Sequence, residues 1–304
     1  MATTGTLPAG DFVGRLAAAR TTTAGVTSAG APIRIGAVAL TVRDLDTVSR
    51  FYRQVIGLAP IETGAGLHRL GVGGQALLEL RHDPAAPLAS RRAAGLFHTA
   101  FLLPSRADLA RWLLHAAERR VPLHGASDHR VSEAIYLADP EGNGVEVYHD
   151  RPSETWTWRN GMIEMATLPL NLHDLAATVQ ARDWSGLPEG SRIGHVHLQV
   201  GELKPAEDFY GGLLGLDAVS RITGATFFSS GGYHHHLATN TWNSRGAPVR
   251  AEAATGLANV AFVTDAGVLE AVRARLSPEQ AAHGGSGPLS LRDPWGTSIT
   301  LFSR

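Results

Sequence analysis

The strongest constraint on the fold of this 304-residue chain is an internal duplication. Residues 35–58 (IGAVALTVRDLDTVSRFYRQVIGL) lie over residues 193–216 (IGHVHLQVGELKPAEDFYGGLLGL) without a gap, and ten of the 24 positions are identical. Further matches follow in the same order: GLFHTAF (95–101) with GLANVAF (256–262), and LADPEG (137–142) with LRDPWG (291–296). A chain that repeats itself in this way stacks copies of one supersecondary unit, and here each half holds two units of similar plan.

Inside a unit the hydrophobic period changes. Val38, Leu40 and Val42 alternate at period two, the signature of a strand with one buried face. Leu45, Val48, Phe51, Tyr52 and Val55 then recur at helical spacing, with Gly57 placed to stop the helix. Stretches such as 76–80, 144–148 and 227–230 are short and bounded by Gly or Asp-Pro, as hairpin strands are. The prediction is an α+β protein of four βαβββ modules, near 33–82, 95–150, 192–241 and 255–303, with curved sheets enclosing clefts. Two domains result, 33–150 and 192–304, joined by a connector at 151–191 that carries an amphipathic segment near 168–179. Residues 1–32, rich in Thr, Ala and Gly, read as a flexible N-terminal arm without the apolar core of a secretory signal.

Composition enters by what it removes. There is no cysteine, hence no disulfide, thiolate metal site or cysteine nucleophile, and the strong metal ligands left are His and carboxylate. A cysteine-free chain also fits a cytoplasmic setting. Lys plus Arg (27) balances Asp plus Glu (28), so no net field favours nucleic acid or an anionic membrane. No run reaches the ~18–20 apolar residues of a transmembrane helix.

Fourteen histidines are present, and His68, His82, His115, His124, His173 and His283 read as surface residues in polar or helical contexts. The repeat singles out others. The equivalent first-strand positions of the four modules are Ala37, His98, His195 and Asn259, so only modules two and three offer an imidazole there. The equivalent last-strand positions of modules two and four are Glu146 and Thr300. A carboxylate between Val145 and Val147 is costly to bury without a partner, and a divalent cation is the strongest one available. Two imidazoles and one carboxylate make the facial triad that suits non-haem Fe(II), with Mn(II) as an alternative, and leave coordination positions open. Either histidine taken alone reads as a packed or hydrogen-bonded core residue. His197, two residues after His195 and on the same face of a strand, is a rival ligand.

The motifs GLFHTAFLLPSR (95–106), SDHRVSEAIYLADPEGNGVEVYHDRP (127–152), GHVHLQV (194–200) and GGYHHHLATNTW (231–242) resemble those of the extradiol ring-cleaving dioxygenases. These belong to the vicinal-oxygen-chelate superfamily, built from glyoxalase/bleomycin-resistance/dioxygenase-type domains. The similarity is to their two-domain catechol 2,3-dioxygenase-like branch and covers about 33–303. It implies that His98, His195 and Glu146 bind iron and that Tyr136, ten residues before Glu146, is the conserved site tyrosine. It also implies that His235, three before Ala238, is the acid/base, with His129 and His197 at the substrate. The implied activity is ring opening of an aromatic diol beside its hydroxyls by dioxygen, in a homo-oligomer, without an organic cofactor. One departure matters. The familiar enzymes carry the metal in modules three and four, where this chain has Asn259 and Thr300. The expectation is therefore that module two pairs with three around the metal, within one chain or across a dimer, and that one pairs with four in a metal-free cleft. Two rival functions share the superfamily. A glyoxalase-type lyase or isomerase usually adds a second carboxylate, which the stretch 233–242 lacks. A sequestering binding protein usually loses its ligand set, which this chain retains.

Overall fold

A computed structural model describes residues 25–180, 183–250, 254–278, 280 and 287–304. Module one is β1 (Ile33–Val42), α1 (Leu45–Phe51), β2 (Ala59–Gly64), β3 (Leu67–Val72) and β4 (Gln75–His82). Module two is β5 (Gly95–Leu102), α2 (Arg106–Glu118), β6 (Gly125–Asp128), β7 (Ser132–Ala138) and β8 (Gly144–Asp150). Between the halves lie β9 (Trp158–Arg159), β10 (Met162–Ile163), β11 (Leu168–Pro169) and α3 (Leu172–Ala176). Module three is β12 (Arg192–Gln199), α4 (Leu203–Ala206), β13 (Asp217–Ile222), β14 (Ala225–Ser229) and β15 (Leu237–Asn240). Module four contributes β16 (Gly256–Thr264), α5 (Ala266–Arg273), β17 (Leu289–Arg292) and β18 (Ser298–Ser303).

Local chemistry explains the helices. Asp44 caps α1 by accepting from the Thr47 N–H at 2.9 Å, and Ser105 caps α2 by accepting from Asp108 N–H at 3.1 Å. The α1 helix continues as one π turn, Tyr52–Ile56, and ends at Gly57 with φ +94°, a conformation that favours glycine. On α2 the residues Leu109, Trp112, Leu113 and Ala116 form the buried stripe.

The sheets do not follow the order of modules along the chain. One has the order β17-β18-β16-β1-β4-β3-β2 and the other β11-β6-β7-β8-β5-β12-β15-β14-β13. Module one thus shares a sheet with four and module two with three, the pairing expected from the ligand positions, and it is made within one chain. The sequence division into 33–150 and 192–304 does not carry into the sheets, because the first strands pair across the halves: β1 runs antiparallel to β16 and β5 antiparallel to β12. A common core of Val38, Leu40, Phe101, Ile135, Val147, Val196, Leu198 and Phe262 lies beneath both sheets. Burying such faces stabilises by ~25 cal/mol per Å² removed from water.

Three expectations need revision. The connector is more than a tether, since β11 extends the second sheet by pairing Leu168 with Asp128. Residues 1–24 lie outside the described residues, but 25–32 are docked. Ser28 and Ala31 are buried, and the Ile33 N–H donates to Ser230 Oγ at 3.2 Å. His115 is buried, not superficial: it lies on the inner side of α2, where its Nε2 lies 2.8 Å from the Gln54 carbonyl and its ring packs on Trp184. His283 lies outside the described residues.

Candidate metal centre

The second sheet sorts its side chains by strand alternation. Phe101, Ile135, Val145, Val147, Val196 and Leu198 enter the main core. Ala100, Tyr136, Glu146, Tyr148, His195 and His197 take the other face, together with His98. Register then brings three of these together. Glu146 on β8 sits beside Ala100 on β5, and Ala100 sits opposite His195 on β12. The small side chain of Ala100 leaves the space between the carboxylate and the imidazole open. Close strand approach needs glycine at two points. A Cβ on Gly144 would lie 2.0 Å from the Phe97 carbonyl oxygen, and one on Gly194 would lie 1.8 Å from the Tyr148 hydroxyl.

His98 Nε2 lies 2.9 Å from Glu146 Oε2, His195 Nε2 lies 3.2 Å from the same oxygen, and the two Nε2 atoms are 3.3 Å apart. All three side chains are buried. Donors held about 2.1 Å from one divalent ion at right angles lie about 3 Å from each other, so the spacing fits a single ion bound facially. The chemistry fits as well. Burial drives the Glu146 carboxyl up, but the two imidazoles outweigh it and hold the group well below the usual carboxylate range. Burial lowers His195. An ionised carboxylate beside a neutral imidazole is the protonation state a cation needs. Nδ1 of His195 is buried without an acceptor, so packing orients its ring, between Tyr148 at 4.9 Å and His235 at 4.1 Å.

The triad forms the floor of a cavity of about 400 Å³. His129, Tyr136, His197 and His235 all line it, so the sequence candidates converge on one place. Their hydrogen bonds define their orientation. His129 donates from Nδ1 to the Ala166 carbonyl at 2.6 Å, which leaves Nε2 to accept from the Tyr136 hydroxyl at 2.6 Å. Burial, then the Glu146 charge, raise Tyr136 well above the usual phenol range and keep it protonated. The rival ligand His197 has its Nε2 taken by the Asn240 amide at 3.0 Å.

Residues 233–236 form no strand, so alternation does not sort His234, His235 and His236. His234 Nε2 lies 2.7 Å from Asp150 Oδ1, and its Nδ1 lies 2.8 Å from Nδ1 of His235. With Asp150 accepting from His234 Nε2–H, His234 Nδ1 accepts from His235 Nδ1–H, and the His235 Nε2 lone pair is left on the cavity side. Burial, then the neighbouring imidazoles, lower His235 well below its ordinary value. Asp150 also accepts from the Tyr233 hydroxyl at 2.9 Å, and that hydroxyl meets Tyr148.

Sequence reasoning missed Asp150, Asn240 and the cavity walls. Phe97, Ile222 and Phe227 come from three strands and Trp242 from the turn after β15, and Met165, Ala166 and Thr167 come from the connector. The run Asn240-Thr-Trp242, inside a motif already singled out, was the available signal for two of them. In the other sheet the equivalent cleft is satisfied internally: the Asn259 amide donates to Ser298 Oγ at 3.0 Å and Thr300 Oγ1 at 2.9 Å. Among the described residues no helix is long and apolar enough to cross a membrane.

One pair of βαβββ modules, two with three, carries the His–His–Glu floor, and the second pair, one with four, repeats the plan without it. The chain belongs to the Glyoxalase/Bleomycin resistance protein/Dioxygenase superfamily, whose model matches residues 34–147 and 192–299. Within it the chain falls in the extradiol-dioxygenase-like branch. It is 40% identical over 228 residues to catechol-2,3-dioxygenase of Bacillus subtilis (strain 168), covering 73% of this chain and 80% of the relative. Solved structures echo the fold at low identity. Glyoxalase I from Zea mays has a TM-score of 0.52 at 14% identity, over 91% of this chain and 94% of that one. The cppA protein from Streptococcus pneumoniae TIGR4 has a TM-score of 0.54 at 11% identity, over 89% and 99%.

Proposed function

We propose that this protein opens the ring of a catechol-like aromatic diol beside its hydroxyls, using dioxygen, at a ferrous ion held by His98, His195 and Glu146. The observation that carries the reading is the convergence of two Nε2 atoms and one Oε2 within 3.3 Å at the foot of an aromatic-walled cavity. The catechol-2,3-dioxygenase relative supports it. Bound to this triad, ferrous iron supplies open positions for the diol oxygens and dioxygen and makes the hydroxyls easier to ionise.

The chain's own residues do the rest. His235 presents the Nε2 lone pair that accepts a proton from a substrate hydroxyl, and the imidazole can return that proton later. Asp150, through His234, holds the tautomer that makes this nitrogen a base. Tyr136, kept protonated and held by its bond to His129, turns its hydroxyl oxygen toward the floor, where it can accept from a substrate hydroxyl. His197, anchored by Asn240, flanks the ring. Phe97, Phe227 and Trp242 keep water from the site and stack or edge against the substrate ring.

Anaerobic metal analysis followed by aerobic assay on catechol and 3-substituted catechols tests the proposal. Near-stoichiometric iron, oxygen uptake and a yellow ring-opened product are expected. Zinc or nickel without oxygen uptake would replace the reading with a glyoxalase-type one, and manganese with uptake would change the metal alone.

A further inference from the structure

We infer that the substrate of this site is a catechol bearing an uncharged, apolar ring substituent, and that the cavity selects against diols whose substituent is a carboxylate. The inference rests on the diol reading above and goes on to name the substrate class.

Size comes first. A cavity of about 150 Å³ accepts benzene, whereas this one is about 400 Å³. A diol ring on the floor therefore leaves room for a substituent of several atoms. What surrounds that room is Phe97, Met165, Ile222, Phe227 and Trp242. The rings of Phe97 and Trp242 stand edge to face with centroids 5.5 Å apart, and Phe227 stands edge to face with His235 at 5.1 Å. These faces reward burial of apolar surface and offer further edges to an aryl group.

Charge comes second. Among the described residues, no Lys or Arg lines the cavity, and its one carboxylate is Glu146. Nor do the imidazoles offer a fixed charge: His129 is held by Ala166 and Tyr136, His197 Nε2 by Asn240, and His235, held through Nδ1 by His234, presents only the Nε2 lone pair. Ser127 and Thr167 bring hydroxyls, which supply hydrogen bonds but no charge. A substituent carboxylate held away from the floor would lose its hydration here and meet no cationic side chain in return.

The test is an anaerobic calorimetric titration of the iron-loaded protein with 3,4-dihydroxybenzoate and with its methyl ester, which keeps the diol and removes the charge. The ester should bind about 100-fold or more tightly than the acid, the factor expected for an unpaired buried charge. Ile222 stands at the rim and is 45% exposed, so it tolerates exchange. Ile222→Arg should raise affinity for the acid by about five- to tenfold, as a partly exposed ion pair does. Ile222→Gln, similar in length and uncharged, should not. Acid and ester binding wild-type protein within tenfold of each other overturns the inference, as does an equal gain from both variants. If the diols bind without discrimination, the diol reading stands and the substrate class falls. If neither ester nor 4-methylcatechol binds while iron is retained, the diol reading falls and takes the inference with it.

Discussion

One carboxylate oxygen faces two imidazoles at the cavity floor, and the roles of the surrounding side chains can be separated by what their loss does to the metal. Glu146→Gln keeps the volume and removes the charge. It should cost more metal affinity than the ~10–100-fold that follows loss of an outer-shell partner, read as metal content after dialysis, with circular dichroism unchanged. His235→Ala should keep the metal and lose about 10²–10⁴ in turnover; full activity would remove His235 from the chemistry. Asp150→Ala strands His234 Nε2 at about 1–3 kcal/mol, while the Tyr233 hydroxyl keeps Tyr148 as a partner at 2.9 Å, and the unfolding midpoint in denaturant should fall accordingly. The metal candidates were legible because the duplication allows one module to be compared with another, which turns His98, His195 and Glu146 into exceptions to a pattern. Tyr136, His129 and His235 were legible only through resemblance. Asp150 and Asn240 were not, because their partners lie 84 and 43 residues away and no local period reports such contacts.

Among the elements, β8 sets the position of Glu146, and β8 can lie where it does because Gly144 carries no side chain. Gly144→Ala places a Cβ 2.0 Å from the Phe97 carbonyl oxygen. It should cost about 1–3 kcal/mol as an overpacking change and reduce metal content by displacing Glu146. At Gly125 an added Cβ meets nothing within 4 Å, so Gly125→Ala should leave both measurements unchanged. Strand and helix positions were readable from period two and period 3.6, down to Gly57 as the stop. The π turn before it was not, since it preserves the apolar stripe and differs only in backbone hydrogen bonding. Nor was the part β11 plays, because a two-residue strand has no period to detect.

At the scale of the molecule, the second sheet buries an unusual number of neutral imidazoles, and stability should depend on pH as a result. Burial lowers His195, His197, His235 and His236, the last to about 3. The unfolded chain takes up protons below about pH 6.5 that the folded chain refuses. Stability is therefore full above that value and falls as the pH drops toward the folded-state values. His236 alone accounts for about 2 kcal/mol at pH 5. Thermal unfolding should give a level midpoint above pH 6.5 and a falling one below; a midpoint constant from pH 7 to 5 contradicts this.

The pairing of the modules is nested, with two and three enclosed between one and four. His98 and His195 are 97 residues apart, while Ile33 finds its partner at Thr264, near the other end of the chain. The inner loop closes at lower entropic cost than the outer one. During synthesis, every residue of the candidate site is made before module four, which begins at Gly256. The inner pair, with the whole candidate site, can thus assemble first, and the outer pair closes last against it.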